Sequence, residues 1–185
     1  MEHYLVITAI GTDRPGITDE ITRHVSQSGC NIEDSRLAIF GSEFTFILLL
    51  SGTASSIARV EATLPLQAQQ LDLLTMMKRT TRHEHRFYPY TAEFHIEGND
   101  ALGLIEKFTH FCATRQIDIS ALSAHSQEAE DNEDNHGEDQ LTLQLSTNLP
   151  EGCNLMSLQE EFEDLCQTVQ VAGTVTFTGH NPKEK

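Results

Sequence analysis

Apolar and polar positions along the first half of the chain alternate between two periods. His3 to Ile10 is rich in β-formers and apolar on both faces, the pattern of a central strand covered on both sides. Ile17, Ile21, His24, Val25 and Ser28 then recur at helical spacing, with Asp19, Glu20 and Arg23 on the opposite face, and Gly29 stops the helix. Asn31 to Asp34 reads as a short connection. Ser35 to Phe40 and Glu43 to Leu50 read as strands joined by a tight Gly41-Ser42 turn. In the second of these, Phe44, Phe46, Leu48 and Leu50 face one way, and Thr45, Ile47 and Leu49 the other. Its distal half is apolar on both faces, so a second domain or a second subunit is expected to cover the face away from the helices. Ser55 to Leu64 is a helix with Pro65 near its end, and Leu71 to Lys78 is a last strand. The order is βαββαβ, the split-βαβ or ferredoxin-like unit: two helices on one face of a four-stranded antiparallel sheet.

The pattern then returns. Gly98, Asp100 and Gly103 repeat the spacing of Gly11, Asp13 and Gly16, and Asp118-Ile119 stands where Asn31-Ile32 stood. Tyr90 to Glu97 is a strand, and Leu104, Phe108, Phe111, Cys112 and Arg115 mark a helix. Ala121 to Ser126 and Gln140 to Ser146 form a hairpin, Asn154 to Val169 is an amphipathic helix, and Gly173 to Thr178 is the last strand. Ser157 and Glu160 offer a capping box if that helix starts late. The prediction is an α+β chain of two tandem ferredoxin-like units at 1–80 and 90–181, joined by a polar linker at 81–89. The copies differ at their hairpins: the second carries an acidic loop at 128–139 where the first has Gly41-Ser42. Its spacing does not fit a calcium loop, and it reads as a solvated segment.

The point of chemical interest is Asp13-Arg14-Pro15-Gly16, between the first strand and the first helix. Asp13 reads as an N-cap and Pro15 as a first-turn residue. Backbone N–H groups from Thr12 to Gly16 could receive a carboxylate at a helix start. Asp13 or the side-chain oxygen of Asn31 could receive an ammonium, and Gly16 allows close approach. Together they read as a site for a small zwitterion; the same turn also serves simply to start the helix. His24 is expected to be a half-buried core residue. His83 and His85 would share a face only in a strand, and here they lie in a polar linker. No nucleophile, P-loop or metal-binding motif is present, so neither a catalytic nor a metal site is expected.

Charge and cysteine content narrow the classes further. With 28 acidic and 12 basic residues the net charge is −16, which argues against direct nucleic-acid binding and against an anionic membrane surface. Lys78, Arg79, Arg82 and Arg86, with His83 and His85 between, form the densest basic cluster and read as a solvated linker. The 4 cysteines lack CxxC spacing and read as reduced, buried thiols. No apolar run is long enough to span a bilayer, and the Met-Glu-His start leads straight into a strand. A cytoplasmic location is expected.

Asp13-Arg14-Pro15-Gly16-Ile17 after strand one and Asn31-Ile32 after helix one resemble the ACT domains, the amino-acid-sensing regulatory modules. Two such units without a catalytic partner, with Gly29 to Ala38 and Met77 to Thr81, resemble the tandem-ACT regulators of glycine cleavage. The resemblance implies a non-enzymatic repressor that binds a DNA-bound activator protein rather than DNA, relieved by glycine as effector and needing no cofactor. It implies ligand contacts at Thr12, Asp13, Arg14, Gly16 and Asn31, with the ammonium nearest Asp13. The second-copy equivalents Asp100, Gly103 and Asp118 depart from the pattern, since Ala101-Leu102 replaces Arg14-Pro15. A homodimer is one way to cover the open sheet face. Two other readings stay open: a ligand-free ACT oligomerisation module, and a small ferredoxin-like enzyme, such as a phosphatase using Arg14 with Asn31.

Overall fold

The computed structural model describes residues 2–82, 87–128 and 139–180. It divides into two compact units, Met1–Glu84 and His85–Lys185. Residues 83–86 of the expected linker and basic cluster, and 129–138 of the acidic loop, lie outside the described residues.

Unit 1 is β1 (His3–Thr12), α1 (Ile17–Gln27), β2 (Asn31–Phe40), β3 (Glu43–Gly52), α2 (Ala54–Gln70) and β4 (Leu73–Thr80). Unit 2 repeats the order as β5 (Tyr90–Asn99), α3 (Leu104–Thr114), β6 (Asp118–Gln127), β7 (Gln140–Asn148), α4 (Leu155–Val169) and β8 (Ala172–Gly179). The sheets run β2-β3-β1-β4 and β6-β7-β5-β8, and every pairing is antiparallel. This is the tandem ferredoxin-like fold read from the pattern.

Alternation builds each core. Leu5, Ile7 and Ala9 of β1 and Phe44, Phe46, Leu48 and Leu50 of β3 point toward the helices. They meet Ile17, Ile21 and Val25 of α1 and Ile57, Val60, Leu64 and Ala68 of α2. In unit 2, Ala92, Phe94 and Ile96 meet Leu104, Phe108, Leu158 and Phe162, and the Phe94 and Phe162 rings lie 5.0 Å apart. The two cores share no residue.

Several local expectations change. Asn31 to Asp34 are not a connection: β2 starts at Asn31, with an irregularity in its register between Ile32 and Asp34. The same irregularity recurs between Ile119 and Ala121 of β6, so it belongs to the construction of the unit. Helix α2 continues through Pro65 to Gln70. The missing Pro65 N–H leaves the Glu61 carbonyl without its helical donor, and burial of Leu64 and Ala68 holds the last turns in place. Helix α4 starts at Leu155, and the Asn154 side chain accepts from the Met156 and Ser157 N–H groups at 3.1 and 3.2 Å. The capping box at Ser157 is therefore not formed, and the Ser157 hydroxyl donates to Glu161 instead.

Candidate functional site

The β1–α1 turn has the same backbone in both copies. Gly16 is the N-cap of α1 at φ 91°, and Gly103 that of α3 at φ 80°; neither helix has a side-chain cap. The Ile17 N–H donates to the Arg14 carbonyl at 3.3 Å and the Leu104 N–H to the Ala101 carbonyl at 3.1 Å. Asp13 is thus not the N-cap and Pro15 lies outside the helix; the left-handed conformation that glycine tolerates does the turning. The N–H of Asp13 is tied to the hairpin loop at the Ser42 carbonyl (3.1 Å), and that of Asp100 to the Asp139 carbonyl (2.6 Å).

Side chains distinguish the copies. In unit 1, Thr12, Asp13, Arg14 and Gly16 are all exposed, and Arg14 leans toward Glu20 at 3.5 Å. In unit 2, Asp100 accepts a 2.6 Å hydrogen bond from the Ser126 hydroxyl, which commits that carboxylate to its own hairpin. A Cβ placed on Gly16 would meet nothing within 4 Å, so the approach to this backbone is open. Beside Gly16, an open depression of about 420 Å³ runs between α1 and α2, lined by Asp19, Glu20, Arg23, His24, Gln27 and Gln67. The imidazole Nε2 of His24, half-buried as expected, contacts the Thr63 hydroxyl at 2.8 Å and links the two helices. The enclosed Oε1 of Gln67 has no hydrogen-bond partner among the described residues.

Asn31 is elsewhere. It pairs with Ser51, and Ser51 pairs with Tyr4, at the start of β1. The turn follows Thr12, eight residues further along β1. At a strand rise of about 3.3 Å per residue, roughly 26 Å separates them. Asn31 and the turn of its own unit therefore cannot hold one small molecule together. The same distance removes the phosphatase reading that joined Arg14 to Asn31.

Sequence reasoning did not anticipate what surrounds Asn31. Its amide nitrogen donates to Glu33 at 2.9 Å, and Ser51 donates to the same Glu33 oxygen at 2.5 Å. These two bonds, the Ser51 bond foremost, hold the Glu33 carboxyl below the usual carboxylate range. They also fix the amide so that Asn31 keeps its oxygen as an acceptor. Because Asn31 and Glu33 lie two residues apart in a strand, their shared face could have been read from the sequence had β2 been recognised there. In unit 2 the equivalent contact is between Asp118 and Asn148, at 3.0 Å.

Among the described residues there is no group of three or more acidic, cysteine or histidine side chains placed to hold a metal ion. The cysteines are free thiols; burial raises Cys112 and Cys166 to about 11. Among the described residues, no helix is long and apolar enough to cross a membrane.

Comparison with known proteins places the chain. Residues 3–78 match the model of the ACT domain. Over its whole length the chain is 41% identical to the glycine cleavage system transcriptional repressor of Escherichia coli K12, covering 95% of that protein. The chain belongs to this repressor family. A crystal structure of a protein provisionally described as a glycine cleavage system transcriptional repressor is 50% identical, with a TM-score of 0.73 across 97% of this chain and 99% of that one. A protein of Methanococcus maripaludis, UPF0237 protein MMP0657, is 34% identical over 83 residues, 45% of this chain and 90% of its own length. A Galdieria sulphuraria structure with a TM-score of 0.74 at 18% identity shares the fold. The full-length relatives that carry a functional name are described as transcriptional repressors, not enzymes.

Proposed function

We propose that the protein represses glycine cleavage genes by binding a DNA-bound activator protein in the cytoplasm, and that glycine releases it. The observation that supports this most is the full-length 41% identity to repressors of that system, which spans both ACT units. The −16 charge suits a regulator that acts through another protein rather than on DNA.

Glycine is proposed to bind at the turn of unit 1. N–H groups in the first turn of α1, beyond the Ile17 N–H that Arg14 occupies, receive its carboxylate, and the exposed Asp13 carboxylate receives its ammonium, with Thr12, Arg14 and Gly16 around it. The Asn31 oxygen suits the ammonium equally, but it is too far from its own turn. Asp100 is engaged by Ser126 and Asp118 by Asn148, which makes the second-copy positions poorer ligand contacts.

Release requires that glycine bind the free regulator more tightly than the activator-bound one. The activator must then weaken glycine binding by the same factor. The experiment is to titrate the protein onto an activator–operator DNA complex, with and without glycine. Glycine is expected to lower the affinity, and Asp13→Ala to abolish that response while leaving repression intact. An affinity unaffected by saturating glycine refutes the mechanism.

A further inference from the structure

The sheet faces away from the helices differ between the copies, and the difference points to a partner. In unit 2 this face is polar and bonded to itself. Its cross-strand rows hold Ser123, Gln144, His95 and Thr174, then His125, Thr142, Glu97 and Ala172. Ser146 donates to Glu93 at 2.8 Å and His95 contacts Glu97 at 2.8 Å. In unit 1 the matching rows are Arg36, Ile47, Thr8 and Met76, then Ala38, Thr45, Ile10 and Leu74. Here Leu74 is 79% exposed, Met76 70%, Ile47 42% and Ile10 40%. A contiguous apolar patch of this kind marks an interaction surface.

The charges on the unit 1 face indicate what covers it. One row crosses the sheet as Asp34, Leu49, Val6 and Lys78. It is apolar in the middle, with an acid, paired through one oxygen with Arg36 of its own strand, on one edge strand and an amine on the other. A two-fold axis parallel to the strands lays this row on itself in reverse. Asp34 of one chain then faces Lys78 of the other, twice, and Leu49 faces Val6. With Arg36, Glu43 and the Glu33 beside Ser51 included, these charges come to −1, on a chain whose net charge is −16. Elsewhere, two copies of so acidic a chain repel each other; this face is close to neutral, apolar in its middle and complementary to itself.

We propose that the open sheet face of unit 1 is a homodimer interface, formed face to face with a second copy of this chain about a two-fold axis along the strands. Sheets packed in this way lie about 10 Å apart, within reach of the Lys78 and Asp34 side chains. The assignment rests on the sheet of unit 1 alone and is independent of the glycine reading.

The test is sedimentation equilibrium of the full chain up to about 100 µM, the range in which an interface of modest size is populated. The expected species has twice the 20.7 kDa chain mass. Ile47→Asp gives a monomer with unchanged circular dichroism. Lys78→Asp and Asp34→Lys each weaken dimerisation about tenfold, by placing like charges together at both symmetric contacts. The double variant, and an equimolar mixture of the two single variants, recover it. A wild-type monomer at 100 µM overturns the proposal and leaves the face to a different protein. A dimer that survives Ile47→Asp puts the interface elsewhere. A double variant no tighter than the single ones refutes the two-fold register. Glycine affinity is read separately by calorimetry, so failure of one reading leaves the other standing.

Discussion

Replacing Gly16 by alanine, with Gly103→Ala as its control, separates what the turn does for the fold from what it does for a ligand. Gly16 has φ 91° and ψ −11°, and Gly103 has φ 80° and ψ 6°. A Cβ added at either meets no heavy atom within 4 Å. The cost is therefore backbone strain without a clash, about 1–2 kcal/mol for a left-handed L-residue. Loss of unfolded-state freedom returns about 0.4–1 kcal/mol of that. Each variant should lose about 1 kcal/mol, which moves a urea midpoint by roughly 0.3–1 M. Hydrogen exchange followed separately in 3–80 and 90–180 confines each loss to its own unit. Calorimetry with glycine then distinguishes the copies: Gly16→Ala puts a methyl group into the open approach to the Asp13 turn and abolishes binding, whereas Gly103→Ala leaves it unchanged. The reasoning is refuted if the two stability costs differ by more than about 1.5 kcal/mol, or if Gly103→Ala is the variant that loses glycine.

Asn154→Ala removes the side-chain cap of α4 and should cost about 1 kcal/mol, read as a loss of protection in 155–169 by hydrogen exchange. Ser51→Ala removes the largest influence on Glu33, so NMR titration should show the Glu33 carboxyl rising toward its ordinary value. Because the folded-state value is depressed, the stability Glu33 adds is present above its unfolded value and lost as pH falls through the folded one; the variant narrows that acid window. Cys112 and Cys166, buried and raised to about 11, should resist alkylation at pH 8 while the less buried Cys153 reacts first, as mass spectrometry of the labelled peptides will show.

The fold was legible because two periods and a repeat carried it. Leu5, Ile7 and Ala9 against Phe44, Phe46, Leu48 and Leu50 set the strands, and Ile17, Ile21 and Val25 set the first helix. The turn was legible in position but not in mechanism. Asp13 looked like a cap because caps are recognised by residue type, whereas here the left-handed backbone of Gly16 starts the helix and leaves Asp13 exposed. The distance between Asp13 and Asn31 was not legible, because α1 carries the chain back along β1 before Asn31 begins the edge strand β2, on the far side of β3. Residues at the two ends of one helix therefore came to lie at the two ends of one sheet. The contrast between the open faces was partly legible: Ile47 and Leu49 marked an apolar face, but the row from Asp34 to Lys78 appears only once the register is known.

Glycine titration by calorimetry of the wild-type chain, Asp13→Ala and Asp100→Ala tests the central claim most directly. The account predicts saturable binding by the wild type, loss of it in Asp13→Ala, and binding by Asp100→Ala like that of the wild type. No heat of binding in the wild type, or equal affinity in Asp13→Ala, contradicts it.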